Sequence, residues 1–166
     1  MKTDKLYLVG FMAAGKTTVA RALGNRLQWR VEDIDDLVET RERRSIADIF
    51  AQQGEPYFRS AERDALVRLL PLRNIVVATG GGTFVDSDNR ALINQDGVSI
   101  WLDVEFEQII SRLPVDGRRP VAIDRSTLEH VYALRSETYR HAHLRLDSTR
   151  APVDELVERT LEWLGY

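Results

Sequence analysis

Gly10-Phe11-Met12-Ala13-Ala14-Gly15-Lys16-Thr17 is the stretch that decides the fold. It fits the pattern G-x-x-x-x-G-K-S/T and lies where that pattern must lie, after the apolar run Leu6–Gly10 and at the head of the helix-period segment Lys16–Leu27. Glycines let the backbone turn its N–H groups inward, and the following helix adds the positive end of its dipole, so the stretch reads as a cradle for phosphate groups. Lys16 would supply a point charge to the β- and γ-phosphates of a bound nucleotide, and the Thr17 hydroxyl could ligate a magnesium ion. Gly10, Ala13, Ala14, Gly15 and Thr18 complete the expected nucleotide contacts. Ala13 occupies a position that is often glycine in such loops, and its methyl group predicts a negative φ there.

Working outward, short apolar runs at Asn74–Ala78 and Val98–Leu102 read as buried parallel strands, with weaker strand signals at Arg30–Asp33 and Leu144–Asp147. Helical periodicity marks Ser45–Gln53, Arg59–Leu70, Phe106–Leu113, Thr127–His141 and Pro152–Leu164. This alternation predicts an α/β domain with a mostly parallel sheet covered on both faces and ligands at the carboxyl ends of its strands. Two stretches interrupt it. One, about residues 33–60, is mainly helical; the other, about 112–125, is polar and arginine-bearing and reads as a mobile lid.

The 166 residues fit one domain, and 43% hydrophobic with 30% charged residues is the composition of a packed core rather than of a disordered chain. A net charge of −3 gives no basic footprint for nucleic acid, so positive charge for any bound anion must be concentrated locally. The chain has no cysteine, which excludes disulfides and thiolate chemistry and suits a reducing compartment. The apolar run behind Lys2 and Lys5 is short and leads straight into the cradle, so it reads as a strand and not as a signal peptide, and no segment has the length of a membrane span. A cytoplasmic monomer is the simplest expectation.

The cradle leaves open whether the triphosphate serves as switch, fuel or phosphoryl donor. Neither D-x-x-G nor N-K-x-D occurs, which removes a guanine switch, and little chain remains for a motor. A kinase is left, and the rest of the sequence supplies an acceptor side. Asp33-Ile34-Asp35 follows the second strand; if the strand persists through it, both carboxylates face the site, one toward magnesium and one toward an acceptor hydroxyl. A helix N-cap with a first-turn acid fits the same residues. Arg59 follows the turn Gly54-Glu55-Pro56-Tyr57-Phe58 and could clamp a carboxylate. Gly80-Gly81-Gly82 lies just past a strand, where three glycines bring the backbone very close to something. Arg112, Arg119, Arg135 and Arg150 are candidates for neutralising the charge of the transferring phosphoryl group.

Taken together, the cradle, D-x-D, G-E-x-x-F-R, the glycine triplet and the Arg-Pro loop resemble the shikimate kinase family over Leu6 to about Arg150. The resemblance implies a P-loop three-layer sandwich with a five-stranded parallel sheet in the order 2-3-1-4-5. It also implies transfer of a phosphoryl group from ATP to the 3-hydroxyl of shikimate, with Mg2+, on the way to chorismate and the aromatic amino acids. By this resemblance Asp35 orients or deprotonates the acceptor, and Asp33 helps hold the metal. Arg59 and Arg135 grip the substrate carboxylate under the Gly80–Gly82 backbone, while Lys16 and Arg119 stabilise the transferring group. Arg112 runs along the phosphates and Arg150 lies near the adenine. Two departures stand out. The lid reads Arg118-Arg119-Pro120-Val121-Ala122 where the family usually has Arg-Pro-Leu-Leu, which leaves Arg118 and Arg119 as alternatives, and Arg150 is followed by Ala151 rather than by a second arginine. A gluconate kinase and a non-catalytic nucleotide-binding regulator are the rival readings.

Overall fold

A computed structural model describes residues 2–113 and 124–166. Among these, five strands, β1 (Lys5–Val9), β2 (Arg30–Asp33), β3 (Ile75–Ala78), β4 (Val98–Asp103) and β5 (Leu144–Asp147), form one sheet in the order β2-β3-β1-β4-β5, and every pairing is parallel. The helices are α1 (Lys16–Leu27), α2 (Ile34–Glu42), α3 (Ile46–Gln53), α4 (Glu55–Leu69), α5 (Ser87–Asp96), α6 (Phe106–Arg112), α7 (Arg125–Tyr139) and α8 (Val153–Leu164).

The central strands are mostly apolar because both of their faces are covered: Leu6, Tyr7, Leu8 and Val9 of β1 are fully buried, as are Val76 and Val77 of β3. The edge strands carry charge instead, with Arg30 and Glu32 on β2 and Arg145 and Asp147 on β5, which discourages pairing with another sheet. Right-handed crossovers fix the layers. The chain steps from β1 outward to β2 and then turns back across β3, β4 and β5, which sends α1 to one face and the helices of the later crossovers to the other. Side chains on β1 alternate accordingly. Lys5 and Tyr7 project to the face where both meet Asp96 of α5, at 2.6 Å each, and Lys5 also donates to the Leu69 carbonyl at 2.8 Å.

Helix ends follow side-chain capping. Asp33, Ser45, Asp86 and Asp124 accept from backbone N–H groups at the starts of α2, α3, α5 and α7. Two differences from the sequence reading have physical causes. Helix α4 begins at Glu55 rather than Arg59, because Pro56 sits in its first turn, where a missing N–H costs nothing. Helix α5 has no counterpart in the periodicity. Its segment Ser87-Asp-Asn-Arg-Ala-Leu-Ile-Asn-Gln-Asp96 buries only Asn89 and Ile93, so its stripe is too thin to register, although Asp86 and Gly97 flank it as start and stop.

The register positions the site. Leu8 lies opposite Ala78, Ala78 opposite Asp33, and Val9 opposite Trp101, so β1, β2 and β3 end level with one another. Thr79 then ties the two inner ends, its N–H and hydroxyl donating to the Leu8 carbonyl at 3.1 and 2.8 Å. The lid reading around Arg118 and Arg119 lies outside the described residues; at its margins, residue 112 closes α6 and residue 125 opens α7.

Candidate active site

The cradle leaves β1 through Gly10, whose φ is +146°; a Cβ there would stand 2.8 Å from the Leu102 carbonyl oxygen, so only glycine fits. Ala13 contradicts the expectation of negative φ. Its φ is +59°, in the left-handed region, which costs an alanine about 1–2 kcal/mol. The loop imposes that strain along a curve that ends at Gly15, the N-cap of α1, and Arg112 donates to the Ala13 carbonyl at 3.1 Å from outside. Lys16 folds back over the loop, its Nζ 2.8 Å from the carbonyl oxygens of both Gly10 and Phe11. Burial pushes its pKa down to about 8, while Asp35 and Asp33 hold it up.

Asp33 takes the helix-cap role that the sequence offered as one alternative, and it also meets the cradle. Its Oδ1 accepts from the N–H groups of Asp35 (2.9 Å) and Asp36 (3.4 Å) and caps α2, while its Oδ2 accepts the Thr17 hydroxyl at 2.7 Å. The strand therefore stops at Asp33 and does not persist through the pair; Asp35 reaches the site from the first turn of α2. Burial raises the Asp35 carboxyl to about 6, and Asp33 and Glu62 add to the rise against the pull of Lys16.

The glycine triplet turns out to be a question of space, since none of the three has a positive φ. A Cβ on Gly80 would stand 2.9 Å from Glu62 Oε2 and 3.0 Å from Asp35 Oδ1; one on Gly81 would stand 3.3 Å from Arg135 Nη1, and one on Gly82 2.7 Å from Arg59 Cζ. Each glycine thus admits an ionisable side chain of the acceptor side against the backbone. Arg59, Arg135, Asp35 and Glu62 converge on a single turn.

Glu62 was not singled out by the sequence. It is 1% exposed and accepts from Arg59 Nη1 at 3.0 and 3.2 Å. Its place three residues after Arg59 on one helix puts both on the same face, a usable signal. Tyr139 was also missed; it stands four residues after Arg135 on α7 and donates its hydroxyl to the Gly81 carbonyl. Arg135 itself lies over the Phe11 ring, with its guanidinium carbon 5.9 Å from the centroid, so it borders the cradle as well as the glycine turn. Arg150 is exposed just past β5, next to a depression that Glu105, Asp147 and Arg159 also line. It sits on the same sheet edge as the cradle, two strands from β1.

Thr17 and Asp33 offer two hard oxygens beside the phosphate cradle, a donor set that suits Mg2+, which favours a few protein oxygens together with phosphates and water. Among the described residues no three His, Cys, Asp or Glu side chains group into a metal site. No helix among the described residues is long and apolar enough to cross a membrane.

The raised Asp35 carboxyl affects stability. Between its ordinary value of 3.8 and about 6 the folded chain binds the proton more tightly than the unfolded chain, so stability falls as pH rises through that window. Asp35→Asn removes the buried charge and is expected to stabilise the fold at pH 7 by about 1–3 kcal/mol in urea denaturation, with the difference closing below pH 4. An Asn variant less stable than the parent at pH 7 would contradict this electrostatic account.

The shikimate kinase family model matches residues 12–165. A shikimate kinase of Persephonella marina is 36% identical over 94% of this chain and 96% of its own length, and one of Bacillus cereus is 34% identical over 95% of this chain and 96% of its own. Among solved structures, the Acinetobacter baumannii shikimate kinase in complex with shikimate superposes with a TM-score of 0.92 at 30% identity, covering 98% of this chain and 93% of that one. The Aquifex aeolicus shikimate kinase gives 0.88 at 30% identity, covering 96% and 95%. A deoxyadenosine kinase of M. mycoides, at 17% identity and a TM-score of 0.67, shares the fold. With the cradle, the paired aspartates and the glycine turn in place and nearly the whole chain matched, the protein belongs to the shikimate kinase family.

Proposed function

We propose that the chain transfers the γ-phosphoryl group of ATP to the 3-hydroxyl of shikimate, giving shikimate 3-phosphate and ADP. The observation that carries this reading is the convergence of Asp35 and two arginines, one of them paired with Glu62, on the glycine turn beside the cradle. Asp35 and Lys16 are close enough to perturb each other's titration, and Arg59 and Arg135 flank Gly82 and Gly81. Such a surface asks for an acceptor with a hydroxyl at one end and an anionic group at the other, and shikimate has both.

The roles follow from placement. The substrate carboxylate is gripped by Arg59 and Arg135, with the Gly80–Gly82 backbone against the ring. That grip turns the reacting hydroxyl toward Asp35 and the γ-phosphate, converting a collision into a positioned attack. The hydroxyl oxygen forms the new bond to phosphorus as the bond to the β-bridging oxygen breaks; ADP departs and Asp35 takes the proton. A carboxyl raised to about 6 remains ionised near pH 7 and is a stronger base than an ordinary aspartate. Lys16 meets the charge that spreads over the phosphoryl oxygens, and Arg119 adds to it. Gly10, Ala13, Ala14, Gly15, Thr17 and Thr18 cradle the nucleotide, Arg112 follows its phosphates and Arg150 its adenine. Thr17 and Asp33 would hold Mg2+, which would supply charge neutralisation at the phosphates. Residues 33–60 form the wall of the acceptor side and residues 112–125 the lid that excludes water. A cytoplasmic monomer completes the reading.

ADP release measured with shikimate, with gluconate and with no acceptor tests the assignment. Shikimate alone should accelerate turnover, and a chain that shikimate leaves unaccelerated would overturn it. In the same assay Arg59→Ala should raise the shikimate KM roughly 10- to 100-fold, the loss of one charge-assisted contact, with the ATP KM near normal. Equal losses for both substrates would remove Arg59 from the acceptor site.

A further inference from the structure

Beneath the glycine turn lies a buried hydroxyl, that of Thr83. Thr83 is fully buried, and its Oγ1 sits inside the turn that its own backbone closes, Thr83 N–H donating to the Gly80 carbonyl at 3.2 Å. The hydroxyl accepts the Gly80 N–H at 2.9 Å and donates to Glu62 Oε2 at 2.9 Å. Glu62 in turn receives Arg59 Nη1 on both of its oxygens. The chain of bonds Gly80 N–H to Thr83 to Glu62 to Arg59 therefore links the start of the glycine turn to the arginine at its end. Directionality is fixed throughout. An amide N–H can only donate and an ionised carboxylate can only accept, so the group between them must do both, which a hydroxyl does and a methyl cannot.

The linkage answers a problem that the site creates. Glu62 is an acid at 1% exposure and needs partners for its oxygens; Arg59 alone supplies a movable one, since its guanidinium also reaches Glu55 Oε1 at 3.4 Å on the solvent side. Thr83 gives Glu62 an anchor that does not move, because it is part of the turn. With Glu62 held, the guanidinium of Arg59 is held against Gly82, whose missing side chain makes the room.

We propose that Thr83 is a positioning residue for the acceptor side, its hydroxyl locking the glycine turn and the Glu62–Arg59 pair into one rigid surface for the acceptor carboxylate. The proposal rests on the reading of Arg59 and the glycine turn as the acceptor site. Thr83→Val keeps the shape and removes the bonding; it should raise the shikimate KM roughly tenfold, the effect of losing a hydrogen bond to a charged group, with the ATP KM within about twofold of the parent. Thr83→Ser, which keeps the hydroxyl, should restore the parental shikimate KM. Combined with Glu62→Gln, the Val substitution should add far less than it does alone, because both break the same chain. Thr83→Ala serves the same test if the valine variant does not fold. A hydroxyl-free variant that folds with unchanged shikimate KM, a loss shared equally by ATP, or a serine variant as impaired as valine would overturn the proposal. A parent enzyme indifferent to shikimate would instead overturn the acceptor reading beneath it.

Discussion

The rest of the structure depends on the parallel register that ends β2, β3 and β1 at one level. Asp33, Ala78 and Leu8 lie side by side across the three strands, so the loop leaving each strand must meet the loops leaving its neighbours. The cradle leaves β1, the aspartate pair leaves β2 and the glycine turn leaves β3. A parallel sheet forces the connections to the opposite edge and leaves these three loops to share a crevice at the carboxyl ends. Thr17 with Asp33, Thr79 with the Leu8 carbonyl, and Gly80 against Asp35 are the contacts by which the three loops recognise one another.

Charge is the second ordering principle. The crevice brings the acids Asp33, Asp35 and Glu62 together with the cations Lys16, Arg59 and Arg135, and each sign keeps the other tolerable in a region short of water. The balance is uneven. Glu62 is fully engaged by Arg59 and Thr83 and is a structural anion, whereas burial leaves Asp35 reluctant to ionise and Lys16 reluctant to stay charged. Reactive groups whose titration is drawn toward neutral pH, set beside an anchored scaffold, are the arrangement that proton transfer and phosphoryl transfer favour.

Much of this was legible in the sequence, and the parts that were not share a cause. The five strands and the cradle could be read because apolar runs and glycine spacing are local signals. The candidate residues Asp33, Asp35, Arg59 and Gly80 to Gly82 could be singled out because they lie at strand ends and turns, which the fold brings to one sheet edge. The φ of Ala13 was misjudged because the surrounding loop, and not the residue's own preference, sets it. The extended D-x-D failed because Asp33 prefers to cap a helix, and a cap ends a strand at the residue that makes it. Helix α5 escaped because it buries too little to show a period. Thr83 and Tyr139 escaped because each matters through a partner distant in sequence, 21 residues from Thr83 to Glu62 and 58 from Tyr139 to Gly81, whereas Glu62 stands three residues after Arg59 on one helix face, a local signal that an isolated arginine does not by itself call attention to.

The central claim is that this crevice, in a chain of the shikimate kinase family, delivers phosphate to one hydroxyl of a carboxylate-bearing acceptor and excludes water as the acceptor. Phosphorus NMR of a reaction containing enzyme, ATP, Mg2+ and shikimate measures that outcome directly. The account predicts one new phosphomonoester resonance, coupled to the proton on carbon 3 of shikimate and growing in step with ADP. Growth of inorganic phosphate in step with ADP, with shikimate unchanged, would contradict it.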